Sequence, residues 1–314
     1  KPPNFNTTPP EIAIDCSNSK YQSFLTGFPL EKDRFIIDFF PMLHELDILE
    51  MRLYEMEGLV DNHVIYESTL THRGIPKKLH YHDNRQRFVH FKDKIIHFVE
   101  SDAQHHGGKH LPSKGNIWEI NGNNWKNGFI MYSNAYKVTD PNAIVIAGDL
   151  DEILSREIVA HLKKCEIKSF PLIGNINMYI HSLKHLHDSD HRVLNQKYTL
   201  RFPTVTTYDD CLSKGSFQRI YNTKTFVSLP FDSGSHLTDL FISPEYLAYK
   251  YMSAAEGRTE GYNLVYNDMG EVDICNRIFK MRKHRIKYNT EDLHVPWIVK
   301  QNQDFYSKLY QNVC

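Results

Sequence analysis

The segment Ala143-Ile144-Val145-Ile146-Ala147-Gly148-Asp149-Leu150-Asp151-Glu152-Ile153-Leu154-Ser155-Arg156-Glu157 sets the architecture of this chain. Apolar or small residues from Ala143 to Ala147 run without interruption into Gly148 and a cluster of acids. A continuous run rich in Ile and Val suits a strand buried on both faces, as in the middle of a parallel sheet. Ligands of such sheets bind beyond the carboxyl ends of the strands. Asp149, Asp151 and Glu152 crowd that end, and they repel one another unless a cation or a proton is shared among them. A hard divalent ion held through oxygens, keeping waters that a substrate phosphate can replace, relieves the repulsion. The same residues also read as an acidic turn ahead of a helix, with Ser155 as N-cap and Glu157 in the first turn. That accounts for Glu152 and Glu157 but not for Asp149 and Asp151 at the strand exit.

Upstream, Arg34 to Phe39 predicts a first strand, ended by Pro41. A helix follows from Glu45, with Leu46, Leu49, Leu53, Met56 and Val60 on one stripe. Glu45, Asp47, Glu50, Arg52, Glu55 and Glu57 are expected to face out. His63 to Glu67 predicts a second strand, so the unit is βαβ and should lie in a parallel sheet. The polar run Ser68 to Pro76 leaves that strand's carboxyl end, where ligand loops belong. Lys94 to Glu100 predicts a third strand, 101–115 a mobile loop, and Trp118 to Val138 a helix weakened by Gly122 and Gly128.

Downstream, Ser155 to Lys164 predicts a short helix, and Leu172 to Ile180 and Thr199 to Thr207 predict strands. Between those strands, the His- and Asp-rich run His181 to His191 reads as a solvated loop, because its spacing matches no metal-ligand template. Ser243-Pro244-Glu245 opens a helix, and helices at about 270–283 and 302–311 close the chain. Residues 1–30, rich in Pro, Asn, Ser and Thr, read as a stem or linker. That leaves 31–314 as a single α/β domain, a mostly parallel central sheet flanked by helices.

A chain of 314 residues with net charge −1 carries no basic field to recruit nucleic acid or an anionic membrane. No apolar run approaches the length of a membrane span. The chain begins at Lys1, which suggests a processed or trimmed protein whose upstream signal or anchor would be out of view. Its 5 cysteines are scattered without a CxxC pair, and an odd number leaves at least one unpaired or paired between chains. With the glycosylation sequon Asn6-Thr7-Thr8, they point to a Golgi or secretory-pathway lumen, although a reduced cytoplasmic setting is also compatible.

The run Phe39-Phe40-Pro41-Met42-Leu43-His44-Glu45-Leu46-Asp47-Ile48-Leu49-Glu50-Met51-Arg52-Leu53 resembles the opening of glycosyltransferase family 17. That is the family of the β-1,4-mannosyl-glycoprotein 4-β-N-acetylglucosaminyltransferases, which add bisecting GlcNAc. Val64-Ile65-Tyr66-Glu67-Ser68, with Thr71, Gly74, Pro76 and Leu79, is similar to its second signature. Gly148-Asp149-Leu150-Asp151-Glu152-Ile153 stands where the family carries Asp-x-Asp-Glu-Ile. Gly234 and His236 match a later Gly-Trp-His, and Lys300 to Tyr310 resembles its last helix. Leu154 replaces a family Pro, and Ser235 replaces its Trp. The resemblance implies a GT-A-like fold and an inverting, metal-dependent transfer from a UDP-sugar donor, GlcNAc the first choice, to a glycan acceptor. It implies Mn²⁺ or Mg²⁺ on Asp151, with Asp149 on the metal or on the donor ribose, and with His236 either a further ligand or a satisfied polar residue of its loop.

On that reading Asp38 and Glu67 end strands where base and ribose would lie, and Lys126 and Arg219 are candidate phosphate contacts. Inverting transfer needs a carboxylate to take the acceptor proton, and Glu152, Glu119, Asp232 and Asp239 are its candidates. Two rivals remain at this stage. An apolar strand ending in Asp-x-Asp also describes a haloacid-dehalogenase-like phosphohydrolase. A non-catalytic glycan-binding domain could instead use the acids to hold a structural ion.

Overall fold

The computed structural model describes residues 8–71, 76–100, 117–180, 182–187, 202–214, 226–238, 240, 249–250, 286–288 and 292–310. In chain order the elements are β1 (Leu25–Pro29), β2 (Ile36–Met42), α1 (Leu46–Glu55), β3 (Asn62–Ser68), α2 (His80–Asn84), β4 (Ile95–Glu100) and α3 (Ile117–Ala135). Then come β5 (Ile144–Ala147), β6 (Glu152–Leu154), α4 (Arg156–Lys164), β7 (Cys165–Ile167), β8 (Leu172–Ile173), β9 (Asn177–Ile180) and β10 (Ser182–His187). The last are β11 (Thr204–Thr207), α5 (Tyr208–Lys214), β12 (Val227–Ser228), β13 (Gly234–Thr238), β14 (Ile286–Tyr288) and α6 (Trp297–Gln301).

The central sheet has strand order β12-β8-β11-β5-β2-β3-β4. Its neighbours run parallel except at β11, which is antiparallel to both β5 and β8. The apolar run of β5 is buried on both faces, as its composition requires. Ile144 and Ile146 enter one core with Leu49 and Leu53 of α1, Val159 of α4 and Ile298 of α6. Val145 and Ala147 enter the other with Phe129 and Tyr132 of α3 and Tyr208 of α5. Gly128 lets α3 lie close on β3, because a Cβ there would stand 2.5 Å from the Tyr66 ring. The βαβ unit β2-α1-β3 is present with its strands parallel. A second sheet, β14-β10-β9-β13-β6, meets the first through the short connection from β5 to β6. Among the described residues, no helix is long and apolar enough to cross a membrane.

Several expectations need correction. Within the described residues 8–30, the chain is not a free stem: Tyr21, Phe24 and Leu25 are buried in the main core. There β1 pairs with β7, and Cys16 is disulfide-bonded to Cys165. Cys211 is buried and unpaired, while Cys275 and Cys314 lie outside the described residues. Ser182 to His187 is strand β10, paired to β9 and β14 rather than looped in solvent. Its long-range partners have no signature in its polar composition. The segment Leu172 to Ile180 splits at Gly174, giving one strand to each sheet. The C-terminal helix comes early, from Pro296 as N-cap, and 307–310 is a 3-10 turn. The helices expected after Ser243 and at 270–283, and the loop at 101–115, fall outside the described residues.

Three charges of α1 face inward, against expectation, while Asp47 stays half-exposed. Glu50, Arg52 and Glu55 are buried because the sheet lies on one side of the helix and α6 on another. Each has its compensation in place. Arg87 bonds Glu50, Asp38 bonds Arg52, and the backbone N–H groups of Arg156 and Trp297 donate to Glu55. Apolar periodicity reports only the greasy stripe of such a helix.

Candidate active site

Strands β2, β3 and β4 add outward in one direction, and the chain then returns to place β5 on the other side of β2. The order reverses between β2 and β5, and open α/β sheets bind their ligands at the carboxyl ends flanking such a switch point. Residues 43–45 leave β2 there and residues 148–151 leave β5. Glu45 and Asp151, one from each loop, close on a single ammonium. Lys250 Nζ lies 2.8 Å from Asp151 Oδ2 and 3.3 Å from Glu45 Oε1. His236 of β13 approaches the other Asp151 oxygen, with Nε2 3.4 Å from Oδ1. The His44 ring packs edge-on to Tyr249 at 4.9 Å between centroids.

The acidic turn is held from beneath by Arg52, which has no exposed surface. Its Nε and Nη2 donate to the two oxygens of Asp38 at 2.9 and 2.6 Å. Its Nη1 reaches the carbonyls of Asp149, Leu150 and Glu152 at 2.9, 3.1 and 2.9 Å. A planar, always-charged fork suits this bidentate grip, and Lys could not reproduce it. Asp38 also meets His63 Nδ1 at 2.9 Å. The turn closes on itself: Asp149 N–H donates to Glu152 Oε2 at 2.8 Å, and Glu152 N–H to the Asp149 carbonyl at 3.0 Å. Gly148 is needed here for space, since a Cβ would meet Glu152 Oε2 and Pro203 Cβ, each at 2.7 Å. Pairing of β13 with β6 sets His236 opposite Glu152, and Leu237 N–H donates to the Asp151 carbonyl at 2.8 Å.

The electrostatics follow from this packing. Burial pushes the Asp151 carboxyl up, but Lys250 and His236 outweigh it and hold the group well below the usual carboxylate range. Glu45 is likewise lowered, with burial opposed by His44 and Lys250. His236 goes the other way. Burial works against its charged form, yet the Asp151 carboxylate raises it above the ordinary imidazole value.

An α/β sheet with an acidic turn at its switch point suits a ligand that carries phosphate, and the comparison with family models is specific. The model of Glycosyltransferase family 17 matches residues 2–226. The chain belongs to glycosyltransferase family 17. No curated protein matches it. The transferase therefore brings a sugar donor and an acceptor together, and membership sets aside the phosphohydrolase and non-catalytic readings. The match takes in Glu45, Arg52 and the acidic turn, and also the N-terminal segment read as a stem. It stops short of His236 and Lys250.

The transferase brings together Asp151 and His236 from the expected metal set, with Asp149 half-buried at the rim of the same turn. Among the described residues, no group of three or more His, Cys, Asp and Glu side chains is arranged to cage a metal ion. An incomplete protein set fits an ion that keeps waters and substrate phosphates. The Lys250 ammonium already fills a cationic position against Asp151.

Two expected nucleotide contacts have internal partners. Asp38 is fully buried and committed to Arg52 and His63, so it positions the turn from below. Glu67 is equally buried. It accepts from the N–H of Tyr81 at 3.0 Å, faces His97 Nε2 at 2.9 Å, and has Lys77 Nζ at 3.6 Å, so it anchors α2.

Among the base candidates, Glu152 closes the acidic turn. Asp232 takes a positive φ of 63° and accepts from His294 N–H and Asn177 Nδ2. It lies in the turn that precedes β13, four residues before His236. Glu119 lies on α3 with its side chain outside the described residues, as Asp239 and Arg219 lie wholly outside them. Lys126 is exposed on α3. Sequence reasoning missed Glu45, Arg52 and Lys250. For Glu45 and Arg52 the available signal was a charge-dense helix beginning right after a strand, and Lys250 carried none.

Proposed function

We propose that this enzyme is an inverting, divalent-metal-dependent glycosyltransferase that moves a sugar, GlcNAc the first choice, from a UDP-sugar to a glycan hydroxyl. Its fold is read as GT-A-like, supported by the nearly all-parallel central sheet and by the acidic turn at its switch point. The observation that carries the reading is the meeting of Asp151, Glu45 and His236 at the carboxyl ends of β2 and β5 in a family 17 chain. Asp151 and His236 would hold the ion, with Asp149 at the rim. An imidazole ligand favours Mn²⁺ over Mg²⁺. When bound, the ion supplies positive charge that stabilises the departing diphosphate without a proton.

The chain's own residues do the positioning. Asp38 fixes Arg52, and Arg52 fixes three carbonyls of the turn, so the carboxylates meet the donor already oriented. A carboxylate base takes the acceptor proton. The Cys16–Cys165 disulfide supports residence in an oxidising lumen such as the Golgi. A donor panel scored by UDP release, with glycan acceptors and with or without Mn²⁺, tests the reading. Transfer limited to UDP-sugars and stimulated by Mn²⁺ is expected, and equal turnover of non-nucleotide phosphate esters would overturn it.

A further inference from the structure

We propose that Lys250 is a built-in counter-ion of this site, holding the position between Asp151 and Glu45 that a divalent ion would take, and that Glu45 would serve as the site's further carboxylate. This rests on the metal-dependent reading above. The ammonium spans carboxylates from two different loops, at 2.8 Å and 3.3 Å, and all three side chains are largely shielded from water. Without a cation between them, Glu45 and Asp151 would be two like charges in a poorly solvated pocket, and one of them would have to take up a proton. Lys250 removes that penalty and keeps the two loops together before any donor arrives. A Lys ammonium is a compact point charge on a flexible four-carbon stem, suited to yielding its place, whereas an Arg fork would bind the pair more rigidly.

A divalent ion on Asp151 would sit within a few ångströms of that ammonium, and two cations so close repel. The ion therefore binds only as Lys250 withdraws, and its apparent dissociation constant is the intrinsic one divided by the fraction of molecules in which the ammonium is already away. The same competition makes Lys250 available to the donor phosphates once it is displaced.

The test is Mn²⁺ titration of the full chain without donor, read by loss of the free-ion electron paramagnetic resonance signal, for the unaltered protein, Lys250→Gln, Lys250→Arg, Glu45→Gln and Asp151→Asn. If the ammonium occupies the site nine-tenths of the time, Lys250→Gln tightens Mn²⁺ by about tenfold. Lys250→Arg keeps the charge and stays at or below the original affinity, Glu45→Gln weakens binding, and Asp151→Asn abolishes it. Binding seen only in Lys250→Gln also supports the proposal. Equal or weaker binding by a folded Lys250→Gln, with Asp151→Asn still abolishing it, overturns the competition and leaves the metal reading standing. No binding by the unaltered protein and Lys250→Gln alike overturns both.

Discussion

Replacing Arg52 by Met severs the grip that orients the acidic turn. The guanidinium is completely buried and compensates a carboxylate, Asp38, that is equally buried. Removing one partner of such a pair leaves an uncompensated charge and costs about 3–5 kcal/mol. Loss of the Nη1 contacts to three turn carbonyls lies within the same perturbation and is not simply additive to it. Asp38→Leu combined with Arg52→Met removes both charges, and an apolar replacement of a buried pair is often close to neutral. The double variant should recover most of the lost stability in urea unfolding. Its turn still lacks the donor that held it, and displacement of reacting groups by about 1 Å costs on the order of 100-fold in rate. Stability and kcat/KM should therefore separate, with the first restored and the second not. An Arg52→Met protein of unchanged stability, or a double variant with undiminished kcat/KM, would refute this reasoning.

Gly148→Ala forces the Glu152 carboxylate or Pro203 aside, so kcat/KM in sugar transfer should fall with only a modest loss of thermal stability. Unchanged kinetics would mean that the turn tolerates the displacement. The disulfide closes a loop of sequence separation 149, for which chain entropy gives about 5 kcal/mol as an upper figure. Cys16→Ser with Cys165→Ser should lower the unfolding free energy by about 3–5 kcal/mol and expose β1 to limited proteolysis. Protection as in the unaltered protein would show that packing alone holds the segment. For Asp38, Glu45, Glu67 and Asp151, burial pushes the carboxyls up, but their cationic and N–H partners outweigh it and leave each lowered. The stability these groups contribute is present above their unfolded values of about 3.9–4.3 and lost as pH falls through the lower folded values. Urea unfolding should weaken steeply below about pH 4, with a shallower fall in Glu67→Gln. An equally deep fall in that variant would remove Glu67 from the set.

The β5 run and the acids behind it were legible in sequence, because an unbroken Ile/Val segment ending in Gly-Asp has few structural outlets. The Ser155 cap was equally plain, and its Oγ accepts the Ile158 N–H at 3.3 Å. Residues whose role depends on partners far along the chain were not legible. Arg52 reads as a surface charge until Asp38 and the turn, 97 residues away at the Asp149 carbonyl, are folded against it. Glu67 looks like a free strand-end acid until Tyr81, His97 and Lys77 close on it. The polar strand β10 and the N-terminal segment depend on ladder and disulfide partners that local composition does not reveal.

The most direct test is the rate of UDP release from UDP-GlcNAc by the unaltered protein and by Asp151→Asn, each before and after stripping of divalent ions. Mn²⁺-stimulated release that collapses both on chelation and in Asp151→Asn is the expected result. Release that proceeds undiminished without divalent ions, or in a folded Asp151→Asn protein, would contradict the assignment of the β5 acids to the donor's cation.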